Sequence, residues 1–400
     1  MSEKDYLRVA SCSSSCADGA RKHAIVSAFH LRAVLLPDGT DPVDMFVVDG
    51  RVTFEPSPGA EELPGHFVSP GLVDAHVHLS LDFAGIGLPH GSPALVTANL
   101  ERQRQAGVLA LRDAGYAQQL DVDAVELPAS PVVLRSGWLT TPPGRFFPVE
   151  RSGGLTVAKH TTEDELITRV EQVARAGLPW CKIIADFPGA DLNLFAAEPN
   201  YPIEVIRDAV GRAHELGVQV MVHSTGPFVA ELVAAGVDAV EHGVSMTPEV
   251  IRAMADQGSC WVPTLASVEN FLRLAEEAGS PPDVREAWSS KMSACLALAV
   301  QLGVPVLAGS DELPHGQLVG ELLCMQRHGM SIGQVLTAAT TLGRSVLGLP
   351  TLEEGDPADL VLFDRDPRED LNEIGRPTAV VSAGELVIPP QTGARQNSPT

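Results

Sequence analysis

Eight short apolar runs, set apart by longer amphipathic segments, constrain this 400-residue chain more than any other feature. The runs are residues 71–79 (GLVDAHVHL), 108–115 (VLALRDAG), 131–138 (PVVLRSGW), 180–186 (WCKIIAD), 218–224 (VQVMVHS), 239–243 (AVEHG), 260–265 (CWVPTL) and 304–311 (VPVLAGSD). Strands buried on both faces read as continuous apolar runs, and strands alternating with helices make parallel sheets. The intervening helices are visible. TEDELITRVEQVARAG opens on a Thr/Asp cap and stops at Gly177, and IEVIRDAVGRAHELG stops at Gly217. Eight such units, about 25–40 residues each, predict a (β/α)8 TIM barrel, with a doubly wound open sheet as the alternative.

The flanks have a different texture. Residues 24–68 are short β-like runs broken by DGT and DGR, which read as hairpin turns, and similar runs return at 357–388. The expected organisation is an α/β chain with a barrel over 70–349. A smaller β-sandwich domain would be built from both chain ends, 23–69 and 350–390, with flexible tails at 1–22 and 391–400.

The net charge of −23 opposes nucleic acid and anionic membranes, which leaves a small-molecule substrate as the expected partner. No apolar run reaches the ~18–20 residues of a membrane span, and the N-terminus lacks the apolar core of a secretory signal. Cys12 and Cys16 lie in a Ser-rich tail, while Cys181, Cys260, Cys295 and Cys324 sit in apolar contexts as free core thiols. A reducing cytoplasm is the expected location.

The chemistry gathers at the run ends. His76 and His78 alternate in one strand and so face the same side. Alone, they are either metal ligands or partly buried structural histidines. His223, His242 and Asp311 each close a further run. Burying that many polar groups is costly unless something pairs them, and a metal would satisfy them together. Lys182 lies inside the fourth run among apolar residues. It is either a lysine reaching out to solvent or an amine whose pKa is lowered beside cations, able to capture carbon dioxide. The resulting carbamate could bridge two ions ~3.5–4 Å apart and help balance their charge.

GLVDAHVHL, CKIIAD, AHELGVQVMVHSTG, AGVDAVEHG and LAGSDELPHG together resemble the amidohydrolase superfamily. Within it the chain is most similar to the imidazolonepropionase-like and prolidase-like branch with a carboxylated lysine. TAATTLGRSVLGLPTLEEGDPADLVLFDRDP resembles that family's last helix and its return to the small β domain, so the resemblance spans about residues 24–388. It implies two divalent ions, expected to be Zn2+, with His76 and His78 on the first. His223 and His242 would hold the second, Lys182 would bridge both as a carbamate, and Asp311 would bind the first. A metal-bridging hydroxide would attack a carbonyl, with Asp311 moving the proton to the leaving amine. The implied reaction is hydrolysis of a C–N bond outside classical peptidase chemistry, in a dipeptide, an N-acyl amino acid or a cyclic amide. Family habit suggests a homo-oligomer.

Where the family often carries Gly-Gly-His, this chain reads LTTPPGRFFPVERSGG. Arg145 there is a substrate-carboxylate ligand or a solvated loop residue, and Phe146 and Phe147 are pocket or packing groups. Tyr201 and His315 are further candidates for substrate contact. Asp74 would support a ligand histidine, and Asp113 would orient a ligand or bond Arg112. His160, His214 and His328 read as ordinary histidines of loops or helices. Three alternatives remain: a mononuclear deaminase, a lactonase or organophosphate hydrolase using the same centre, and a non-catalytic scaffold. The lysine, and the lack of a nearby glutamate after His223, argue against deamination. The full ligand set argues against a scaffold.

Overall fold

A computed structural model describes residues 28–81, 91–116, 127–146, 159–189 and 193–388. The tails expected at 1–22 and 391–400, Cys12, Cys16 and Phe147 lie outside the described residues. Seven of the eight apolar runs form strands: Leu72–Val77, Val108–Asp113, Val132–Arg135, Trp180–Ile184, Gln219–Ser224, Ala239–His242 and Cys260–Val262. Every neighbouring pair among them runs parallel. The first three make one sheet, and the other four join Thr140–Thr141 and Lys159–His160 in a second.

The eighth run is not a regular strand. Within it only Val306 bridges a neighbour, at Trp261. Pro305 has no N–H to offer a ladder, and the segment instead ties the two sheets together. Trp261 N donates to Pro305 O, Leu307 N to Trp261 O, Ala75 N to Ala308 O, and Asp311 N to His76 O, all at 2.8–2.9 Å. A Cβ at Gly309 would lie 2.4 Å from Val262 and 2.9 Å from the His76 Cβ, so only glycine lets this chain pass so close. These seven strands thus lie in two parallel sheets joined through residues 305–311, in a mixed α/β fold.

Helices cover the sheets where the periodicity predicts them. A capping box of Thr162 and Glu165 opens a 3-10 turn that leads into Leu166–Arg175. Helix Ile203–Glu215 turns its buried Ile206, Ala209, Val210 and Ala213 to the core. Gly177 and Gly217, at φ +66° and +73°, let the chain leave each helix. No described helix is long and apolar enough to cross a membrane. Cys181, Cys260, Cys295 and Cys324 are buried free thiols.

The chain ends meet in one eight-stranded mixed sheet. Its N-terminal part includes the hairpin of Pro42–Val48 with Arg51–Thr53, turned by Asp49 and Gly50 at φ +52° and +76°. Its C-terminal part is Leu360–Phe363, Ala379–Ser382 and Glu385–Ile388. The halves join where Phe67–Pro70 pairs antiparallel with Leu360–Phe363. The hydrogen bonding makes a single sheet where two stacked sheets were expected. Leu31, Met45, Val68, Leu360 and Val381 form its own apolar cluster.

Arg344 ties this sheet to the parallel unit. It is buried, donates to Gly71 O at 2.9 Å and to Pro350 O, and pairs with Asp359 at 3.5 Å. Arg344→Ala strands all three acceptors. The expected loss is about 3 kcal/mol, seen as a lower urea midpoint at unchanged m-value.

Candidate metal centre

Each of the four strand-end imidazoles lies in the parallel unit with a nitrogen left for a ligand. Nδ1 of His76 faces Glu241 Oε2 at 2.5 Å. A carboxylate only accepts, so His76 donates from Nδ1 and its Nε2 is a bare acceptor. His78 lies one residue past its strand and is oriented the same way, donating from Nδ1 to Gly115 O at 2.8 Å. The two Nε2 atoms are 3.3 Å apart, with Asp311 Oδ1 at 3.7 and 3.6 Å. Nitrogens sharing a tetrahedral ion at ~2.0–2.1 Å sit roughly 3.3 Å apart. The spacing fits a divalent cation better than it fits two bare lone pairs facing each other.

His242 closes its strand with Nδ1 bonded to Thr264 Oγ1 at 2.7 Å. His223 is stacked edge-on against it, ring centres 4.5 Å apart, and its buried Nε2 has no hydrogen-bond partner. Such an orphan is expensive in a native interior unless a ligand completes it. Lys182 is also buried, and among the described residues no carboxylate lies within ion-pair distance of its ammonium. His78, Lys182, His223, His242 and Asp311 face a cavity of about 180 Å3, with His76 packed beneath. Above them the wall is apolar: Leu139, Phe146, Ile184, Phe187 and Phe271.

Burial sets the electrostatics. It drives His78 down to about 4 and His223 to about 3, and holds His76 and His242 well below the usual histidine range; the Lys182 charge adds to this at all four. Burial also lowers Lys182, against the pull of Glu241 and Asp311, and raises Asp311, against the pull of Lys182. The imidazoles are therefore neutral, the state in which histidine ligates metal.

A buried framework aims these groups. Glu241 divides its oxygens between His76 and Arg112, whose terminal nitrogen donates at 2.6 Å. Arg112 also donates to Ala75 O and stacks over Trp180 at 4.6 Å. Asp113 accepts from Gly115 N, fixing the loop whose carbonyl receives His78. Asp74 accepts from the His76 amide and from Ser310 N and Oγ, so it braces the backbone and not the ring. Glu321 accepts from Leu265 N and Ala266 N at the start of helix Leu265–Glu277, just after Thr264. His242, Thr264 and Asp311 all sit at positive φ, 66°, 47° and 47°, a conformation costing roughly 1–3 kcal/mol each for non-glycine residues. Three strained residues around one cavity indicate a geometry held in place by its surroundings.

The three expected substrate contacts do not line this cavity. The Tyr201 hydroxyl donates to Thr161 O in the core. Arg145 is held by Asn200 Oδ1 and by the carbonyls of Glu198 and Pro199. His315 supports the site from behind, bonded to His78 O and Gln103. Asp113 does not bond Arg112, whose Nε and Nη2 donate to Ala75 O and Glu241. His328 caps the end of helix Leu318–Arg327, buried and bonded to Glu269 and Ser293, close to Cys324. Glu241, Thr264 and Glu321, and the role of Arg112 at Glu241, were not anticipated from the sequence. For Glu241 and Arg112 the signal was present: a charged residue inside an apolar run, as at Lys182.

The amidohydrolase family model matches residues 67–387. An uncharacterized protein of Mycobacterium tuberculosis is 32% identical over 386 residues, covering 93% of this chain and 99% of its own. Ochratoxinase of Aspergillus niger is 27% identical over 290 residues, 68% of this chain and 58% of that protein. Its crystal structure matches with a TM-score of 0.75 at 21% identity, over 92% of this chain and 97% of that one. A Xaa-Pro dipeptidase crystallised with methionine in its active site matches with a TM-score of 0.72 at 23% identity, over 90% and 99%. At such identities the two structures show a shared fold, and the family match spans most of the chain: this protein belongs to the amidohydrolase family.

Proposed function

We propose that this protein is a metal-dependent hydrolase that cleaves an amide bond of a small substrate. The observation carrying the reading is the donor set itself. Three imidazoles, a carboxylate and a buried lysine with no ion-pair partner among the described residues line one cavity, with the His76 imidazole packed beneath, and the His223 Nε2 is orphaned there. In this reading the two parallel sheets form the (β/α)8 barrel of the catalytic unit, residues 70–349. Residues 23–69 and 350–390 form the accessory β domain.

His76, His78 and Asp311 would hold one ion, and His223 and His242 a second, expected to be zinc in both cases. Two such ions supply Lewis acidity and a nucleophilic water at neutral pH. Lys182 would stand between them as a carbamate, formed when its neutral Nζ adds to carbon dioxide and releases a proton. Burial of the amine favours that neutral form. Asp311, with its proton affinity raised by burial, is suited to take a proton from the attacking water. It then returns the proton to the amine nitrogen as the C–N bond breaks. Glu241 and Arg112 keep the His76 ring in the ligating tautomer, and Thr264 holds the orientation of the His242 ring. The apolar wall excludes competing water.

The zinc-loaded protein should carry about two equivalents by elemental analysis. Lys182→Ala should lower this toward one equivalent and remove amidase activity. Two equivalents with full activity in that variant would refute the bridging role. Glu241→Gln and Thr264→Val should each weaken zinc binding by about 10- to 100-fold in chelator competition, while Thr264→Ser stays close to the parent. Zinc uptake in the presence of bicarbonate should weaken from about pH 8 to about pH 6. The sign follows from the ligands: Lys182 and Asp311 act deprotonated, so protons compete with the metal.

A further inference from the structure

We infer that the substrate carries a long uncharged apolar arm, which leaves the ligand cavity past Leu194 and Phe271 and lies in a second trough. That trough runs between the turn Leu194–Ala196 and the helices Leu265–Glu277 and Pro282–Leu302. The inference rests on the amide-hydrolase reading and names its substrate class.

Three observations carry it. The cavity over the ligands is about 180 Å3, smaller than the ~300–1,000 Å3 of sites that enclose a whole drug-sized ligand. A substrate of that size has to continue elsewhere. Leu194 and Phe271 line both the cavity and the trough, and the trough offers about 700 Å3. The trough walls also include Leu274 and Val284, which are 51% and 36% exposed, so large apolar side chains stand open to water along a trough that shares Leu194 and Phe271 with the ligand cavity.

The charge along this path decides the chemistry of the arm. Lys182 is the one cation among the described lining of the cavity, and it sits among the metal ligands. Arg145 is held by Asn200 and the Glu198–Pro199 carbonyls. Arg285, at the far end of the trough, is paired with Glu276 at 2.8 Å. A carboxylate on the arm would lose its hydration and meet no free cation among the described residues of these walls. An alkyl or aryl arm loses only unfavourable contact with water.

The test uses the full-length zinc-loaded protein and a series of acyl 4-nitroanilides, with acyl chains from about two to about eight carbons. Full burial of a methylene is worth about 0.8 kcal/mol, or roughly fourfold. With partial burial, kcat/KM should rise at least about tenfold across the series, and a terminal carboxylate on the longest chain should abolish the gain. In Leu274→Asp and Val284→Asp the long-to-short ratio should fall several-fold. A flat series, or an equal ratio in parent and variants, overturns the trough. If no anilide is cleaved, calorimetric binding of the same series separates the two readings. Affinity that grows with length and is blunted in the variants keeps the trough and rejects the anilide-hydrolase reading, whereas length-independent affinity rejects the trough. A variant that shifts the sedimentation of the protein while keeping the length ratio marks the trough as a contact between copies of this chain, and also overturns the inference.

Discussion

Glu241 is a carboxylate without access to water, held there by Arg112 on one oxygen and His76 on the other. Much of the site hangs from this arrangement. The three residues come from three different strands, and Arg112 extends the link to the Ala75 carbonyl and the face of Trp180. Removing one partner of a buried charge pair is far worse than never having built it. The link therefore stabilises the sheet interior only as a complete unit. It also has a direction: His76 can present only its Nε2 to the cavity.

The same logic recurs with neutral acceptors. The Gly115 carbonyl orients His78, and the Thr264 hydroxyl orients His242. The supporting groups come from the loop after Asp113 and from the start of a helix whose first amides are capped by Glu321. Burial raises Glu321 to about 8, so it belongs to the same costly class of enclosed carboxylates. The left-handed backbone at His242, Thr264 and Asp311 is another such cost. Natural structures retain strain and enclosed charge where a geometry is worth more than the stability it consumes.

The strands were legible because parallel strands buried on both faces leave uninterrupted apolar text. The candidate ligands stood out because polar groups closed that apolar text or, at Lys182, interrupted it. The eighth run read as a strand because its composition matches the others. Pro305 and the close passage at Gly309 changed its backbone without changing its place beside His76. The expected substrate contacts were harder to place from sequence. His315 was chosen by nearness to the eighth run and Arg145 by its place where the family carries Gly-Gly-His, while the polar atoms of Tyr201, Arg145 and His315 are each engaged by another partner. Thr264 and Glu321 left no periodic trace, since their roles exist only once separate elements meet.

The sheet built from both chain ends bears on how the protein is made. Strand Phe67–Pro70 has its antiparallel partner at Leu360–Phe363, roughly 290 residues later. Ribosomes add about 5–20 residues per second. One edge of that strand therefore waits roughly 15–60 s during synthesis, while the segments of the metal-ligand unit emerge. Contacts this distant in sequence form late, and an open strand edge is a template for mispairing. Folding of this chain is a problem of keeping an early β edge unoccupied until roughly its last tenth arrives.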